Sequence, residues 1–300
     1  MDFQLTEDQR ALRDGVRELL EGRFDRAALR AAVDTAERTG SPSLDRELWR
    51  ELGSAGFFSL TLPEAEGGVG LGLPEAVLAF EEAGRVLLPG PLVATFLAAG
   101  EVPGAASGDV VVTSADGALV PWLDEADVVR GDAKGAVPAR SVDPLTPLHR
   151  LPGGAGRPGS AGEPGTGGTS ALLTAAEQLG SAARTTEMAV QYAREREQFG
   201  QPIGAFQAVK HLCAQMLVRT EIARSAVYAA AVTGDPLEIC GAGLLADDAA
   251  ARNARDCLQV HGGMGFTWEA DVHLHLKRAW VRAGAGRSAG DAEEALAAAL

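Results

Sequence analysis

Arg196, Gln198 and Phe199 stand together at the start of one stretch, Ala193–Tyr228, which reads AREREQFGQPIGAFQAVKHLCAQMLVRTEIARSAVY. A guanidinium pairs well with a phosphate, and an aromatic ring sits well against a flat base. These residue types, side by side, suit a ligand that carries both. The same residues also suit a plain corner of a helical bundle, with Arg196 as a solvated cap and Phe199 as core. Other candidates are weaker. His273 and His275 form an H-x-H pair, but on a helix positions i and i+2 point apart and no third ligand is near, so no metal site is expected. No Cys/His arrangement suggests a nucleophile. The glycine-rich run Gly56–Gly72 could cradle a phosphate through backbone N–H groups, although it lacks the Gly-Lys-Ser/Thr of a P-loop. Asp247-Asp248 reads as a solvated helix face. Lys210, Arg219 and Arg224 read as a basic edge forming surface pairs.

The positioning elements follow from periodicity. A charged helix ends before Phe199-Gly200-Gln201-Pro202, a tight turn, and a long amphipathic helix starts near Phe206-Gln207 and runs to about Ala231. Helices joined by so short a connection pack antiparallel, which puts the turn at one end of a bundle. Upstream, Thr6 to Gln9 has the T-x-x-Q form of a capping box, and Leu12, Val16 and Leu19 follow at helical spacing opposite Arg10, Arg13 and Arg17. A helix over Ser43–Leu52 should bury Leu48 and Trp49. Further helices follow the glycine-rich run and cover Pro91–Ala99. From Asp109 the short runs DVVVT, ALVPW and DVVRG predict strands of a small sheet, with Val137 and Val142 adding a strand or two. In Leu151–Gly168, 13 of 18 residues are Gly, Pro or Ala, which predicts a flexible linker. Helices over Ser170–Glu195, Pro236–Val260 and Glu269–Trp280 complete a four-helix bundle. The expected division is an N-terminal helical domain 1–108, a shortened β-domain with its linker 109–168, and a bundle 169–300. The fold class is therefore mainly α.

The whole chain narrows the function class. A net charge of −14, from 27 basic and 41 acidic residues, argues against nucleic acid as a partner. No apolar run is long enough to span a membrane, and MDFQLTEDQR is no signal peptide, so a cytoplasmic protein is expected. Cys213, Cys240 and Cys257 are scattered, which fits reduced, buried thiols.

Three stretches resemble the acyl-CoA dehydrogenase family. DFQLTEDQRALRDGVREL resembles its N-terminal helix. Ala193–Tyr228, with R-E-x-F-G-x-x-I-x-x-F-Q-x-x-K, resembles its first signature. QVHGGMGFTWEADVHLHLK, Gln259–Lys277, resembles its second. The resemblance implies FAD, an acyl-CoA thioester and α,β-dehydrogenation, in which a carboxylate removes the α-proton and the flavin accepts the β-hydride. In the family the R-E-x-F-G turn of one subunit reaches the FAD of its neighbour. Carried over, Arg196 pairs with the diphosphate, Gln198 and Phe199 line the nucleotide, and Gln207 lies on the same signature. Gln259, Gly262 and Gly263 hold the same tail, glycine allowing close backbone approach; a helix C-cap would serve Gly262-Gly263 equally well.

Two departures limit what the resemblance carries. The family's general base falls, counted without gaps, at Ser170 or at Gly286, and neither can take a proton. Trp280–Gly290 holds no acid, and Glu177, two helical turns from Ser170, reads as a solvated or capping glutamate. The region between Asp109 and Thr169 is about 60 residues, too short for the family's β-barrel. The catalytic residue is therefore unknown. Such a chain resembles the smaller subunit of heterotetrameric acyl-CoA dehydrogenases, whose bulky thioesters are of the steroid or polyketide kind. The expected partner is a full-length homologue that shares the FAD, and otherwise a second copy of the chain. A non-redox enzyme on the same fold (cyclase or dehydratase) and a non-catalytic scaffold are the alternatives.

Overall fold

The computed structural model describes residues 4–152, 166–285 and 289–299. Helix α1, Glu7–Arg23, starts on the expected capping box: the Gln9 N–H donates to Thr6 Oγ1, and Gln9 Oε1 accepts from the Thr6 N–H. Helix α2, Arg26–Thr39, is one the sequence reading passes over. Asp25 caps its start by accepting from the Ala28 N–H at 2.9 Å, and Gly40 closes it in the left-handed region at φ 83°. Helix α3, Arg46–Ser54, buries Leu48 and Trp49 as expected. Helices α4, Leu73–Arg85, and α5, Leu92–Ala98, follow.

The middle of the chain forms two small sheets rather than one. β1, Val112–Ser114, pairs in parallel with β3, Val128–Arg130. β2, Leu119–Pro121, and β4, Val137–Ala139, flank β5, Leu148–Arg150, both antiparallel to it. Val142 belongs to no strand and is exposed. Most of the stretch read as a linker lies outside the described residues, but its last three residues, 166–168, already belong to helix α6, Thr166–Glu195.

The rest is helical. The short strands β6, Glu197–Gln198, and β7, Gln201–Pro202, separate α6 from α7, Gln207–Thr233. Helices α8, Pro236–His261, α9, Val272–Ala285, and α10, Ala289–Ala297, complete the chain. α6 to α9 make the bundle, and α10 lies against α8 through the buried Ala292. The N-terminal helices join it where α4 crosses α6. A Cβ on Gly84 would come within 2.0 Å of the Glu177 carbonyl oxygen, and one on Gly180 within 1.9 Å of that of Glu81. Only glycines permit so close a crossing. One continuous core runs through it, from Leu20, Trp49 and Phe80 to Leu172, Leu179, Val227 and Ala246. Among the described residues no helix is long and apolar enough to cross a membrane.

Candidate functional site

The connection after α6 is a two-residue hairpin. Gln198 stands opposite Gln201, and Phe199 and Gly200 form the turn with φ of 55° and 79°. Two positive φ angles are the mark of a type I′ turn, whose twist matches the strands it joins. Glycine takes this conformation freely, whereas a bulky residue does so at a cost. The Phe199 ring is 92% exposed and meets the edge of Phe206 at a centroid distance of 6.0 Å. Phe199 is therefore not core: the turn geometry points it away from the bundle. Arg196 spends its backbone on the hairpin, donating to the Tyr192 carbonyl at 2.9 Å and accepting from the Ile203 N–H at 2.8 Å. Its guanidinium is exposed and, among the described residues, has no ion pair or hydrogen bond. Gln198, which donates to the Glu197 carbonyl at 2.7 Å, and Gln207, at the start of α7, are exposed as well.

The second group lies at the same end. Gln259 is exposed in the last turn of α8. Gly262 sits at φ 59° and ψ −137°, and its N–H closes the helix onto the Gln259 carbonyl. A C-cap thus accounts for Gly262 but not for Gly263, which has no positive φ. A Cβ on either would meet nothing within 4 Å, so this chain's own packing leaves open space there. Stacking of Tyr192 on His261, with ring centroids 4.1 Å apart, joins the hairpin's base to the end of α8. Beneath them Ala193, Ile203, Met216, Leu258 and Val272 pack as one apolar cluster. The hairpin and the Gly262-Gly263 corner thus lie at one end of the bundle over a shared apolar base, with Arg196 unpaired and the two glycines facing open space.

The interior treats its polar groups differently. Glu177 is buried, not solvated, and accepts from Arg282 Nη2 at 2.5 Å; burial pushes its carboxyl above the ordinary range, and the same burial lowers Arg282 to about 10. Asp247 is half-buried, and Gln178 Nε2 donates to it at 2.8 Å. Two of the three cations on the basic edge of α7 also turn inward, while Lys210 stays exposed. Arg219 binds Asp256 and Asn253, while Arg224 and the Tyr228 hydroxyl hold the buried Glu81 at 2.8 and 2.7 Å. Arg17 forks onto the buried Glu82. Sequence reading missed these pairs because their partners lie far apart along the chain. His275 is buried against Ser181, whereas His273 stacks on Trp268. The cysteines are free, but only Cys257 is fully buried. The glycine-rich run offers no phosphate cradle. The N–H groups of Gly67 to Leu71 donate to carbonyls of the same loop, and that of Gly72 caps onto Glu75.

Residues 6–102 match the profile of the acyl-CoA dehydrogenase N-terminal domain, and residues 168–295 that of the acyl-CoA dehydrogenase C-terminal domain. The chain is 37% identical over 296 residues to acyl-CoA dehydrogenase IpdE2 of Mycobacterium tuberculosis, covering 91% of each protein. The chain belongs to the acyl-CoA dehydrogenase family. It is also 34% identical to acyl-CoA dehydrogenase FadE34 of the same organism, over 92% of this chain but 45% of that protein. Its fold matches one chain of the ChsE4–ChsE5 complex of Mycobacterium tuberculosis with a TM-score of 0.80 at 26% identity, covering 99% of this chain and 98% of that one.

Acyl-CoA dehydrogenases are flavoprotein oxidoreductases that use FAD. The bundle end fits the tail of that cofactor. An unpaired guanidinium, an outward ring and two glycines facing open space offer the donors and room that a diphosphate and a base need. Of the two positions aligned with the family's base, Ser170 lies in α6, and Gly286 lies outside the described residues.

Proposed function

We propose that this acyl-CoA dehydrogenase is the subunit that lacks the general base and grips the tail of an FAD shared with a full-length homologue. In this reading Arg196 pairs with the diphosphate, Phe199 and Gln198 cover the nucleotide, and Gln207 borders it. Gln259, with the backbone at Gly262 and Gly263, closes the other side. The observation that carries the reading is the hairpin: the Arg196 guanidinium has no partner among the described residues, and the Phe199 ring, touching only the edge of Phe206, stays 92% exposed. Bound FAD supplies the hydride acceptor for α,β-dehydrogenation of an acyl thioester. Proton removal falls to the partner, because Glu177 is held by Arg282 and closed off from solvent. The match to under half of FadE34 supports the reading, since that chain has room for a second segment of similar length.

Co-expression with a full-length homologue, followed by flavin absorbance and a dehydrogenation assay, tests this. The complex is expected to carry FAD and to turn over thioester, and the Arg196→Ala variant to lose about tenfold in FAD retention, the worth of one charge-assisted contact. Full activity with bound FAD from this chain alone would overturn the proposal.

A further inference from the structure

The loop between α8 and α9, residues 262–271, contains the glycines assigned above to the flavin tail, and it is held from outside the bundle. Two arginines one turn apart on α2 reach across to it. Arg30 Nε lies 2.7 Å from Asp271 Oδ1, and the same guanidinium donates to the Trp268 carbonyl oxygen. Arg26 Nε lies 2.5 Å from Asp271 Oδ2, and its Nη2 donates to the Glu269 carbonyl at 3.1 Å. One carboxylate is thus held from both sides, and two backbone carbonyls of the loop are pinned with it. Asp271 and Arg30 are mostly shielded, with side chains 11% and 18% exposed, whereas Arg26 is 70% exposed. A planar guanidinium that bridges a carboxylate and a carbonyl fixes orientation as well as distance, which an ammonium does not.

The rest of the loop is held by contacts near in sequence, none of which reaches the N-terminal helices. Its Gly262–Phe266 turn is a short 3₁₀ segment, and Met264 and Phe266 are exposed. Without the arginines, the loop's shape beyond Gly263 would rest on short-range contacts: Thr267 and Ala270 hydrogen bonds within the turn, the buried Gly265 against Leu258, and Trp268 between His273 and Lys277. Arg26 and Arg30 touch neither Gly262 nor Gly263, so any effect on a ligand there must pass through the loop.

We infer that Arg30, assisted by Arg26, is a positioning residue for the flavin tail, clamping the glycine loop of the bundle to the N-terminal helices. This rests on the FAD reading above. It makes α2 part of the cofactor grip and ties flavin affinity to how the N-terminal helices sit on the bundle.

The test compares wild type with Arg30→Ala, Arg30→Lys and Asp271→Asn, each co-expressed with the full-length homologue. Two readouts are taken: hydrogen exchange of amides 262–270 relative to those of α8, and the FAD dissociation constant from flavin fluorescence. Arg30→Ala is expected to speed exchange in 262–270 about tenfold, to leave α8 unchanged, and to weaken FAD about tenfold. Arg30→Lys should recover only part of both losses. Asp271→Asn should reproduce Arg30→Ala, and the double variant should be no worse than either single one. Faster loop exchange with unchanged FAD affinity would overturn the inference while leaving the flavin reading intact. Failure of the wild-type complex to bind FAD would instead defeat the flavin reading, and the positioning role with it. Unfolding of Arg30→Ala would show as faster exchange in α8 as well, and the milder Asp271→Asn then decides by the same two readouts.

Discussion

The two ends of the arginine inventory differ in a way that separates scaffold from site. Where α9 meets the middle of the chain, Arg278 is buried and fully engaged. Its Nε binds Asp143, its Nη1 donates to the Leu88 carbonyl at 3.2 Å, and Asp143 in turn accepts from the Leu145 N–H and the Thr146 hydroxyl. At the hairpin, Arg196 has its backbone locked and its charge unspent. Residue type alone does not tell them apart. A charge taken out of water must be paired or it destabilises the fold, while a charge left in water on a rigid mount costs little and can serve a ligand.

That contrast breaks most visibly at Arg278. Arg278→Ala leaves the Asp143 carboxylate buried without its counter-ion and is expected to cost about 3–5 kcal/mol, read from urea unfolding. Asp143→Ala should cost a similar amount, and the double variant less than the sum of the two. Arg196→Ala should change stability by less than about 0.5 kcal/mol. Equal losses at the two arginines would erase the distinction.

A buried histidine sharpens the contrast through pH. His275 packs in the interior with Ser181 Oγ 2.8 Å from its Nδ1, and burial pushes its pKa down from 6.5 to about 3, with Arg184, Arg278, Arg282 and Arg85 adding repulsion. The unfolded chain therefore binds a proton below pH 6.5 that the folded chain refuses until about pH 3. Stability from this group is complete above pH 6.5 and falls as pH drops through that window, by about 1.4 kcal/mol per unit. Between pH 7 and pH 5 the wild type should lose about 2 kcal/mol more than His275→Gln. The slope is the measurement, since the substitution also changes stability at pH 7. Parallel slopes would mean that His275 is not held neutral.

How much of this was legible in the sequence depends on range. Thr6-x-x-Gln9, the turn at Phe199-Gly200 and the helix ended by His261-Gly262 were readable because each signal lies within a few residues. The bundle and the surface formed by its two signature stretches followed from that local grammar and from the family resemblance. Glu177 was misread because its partner, Arg282, is 105 residues away, and nothing near Glu177 announces burial. Phe199 was ambiguous for another reason. An aromatic beside a glycine suits core or tip equally, and the sign of φ decides between them. α2 carried its signals in plain view, Asp25 at one end and Gly40 at the other. Without α2 the clamp on Asp271 could not be anticipated.

A small expected effect is the most discriminating, because it runs in opposite directions for stability and for binding. Phe199 occupies the first central position of a type I′ turn, where asparagine followed by glycine is preferred. A bulky side chain at φ 55° with an exposed ring gains little from packing and bears the cost of the left-handed region. Phe199→Asn should relieve that cost and raise stability by about 0.5–1 kcal/mol in urea unfolding. If the ring is kept outward to cover a nucleotide, the same variant should retain less FAD when assembled with a full-length homologue. A variant more stable and poorer in flavin would show that the turn holds its strain for the ligand. A variant less stable would show that Phe199 belongs to the scaffold through its contact with Phe206, and the line drawn between Arg278 and the hairpin would move with it.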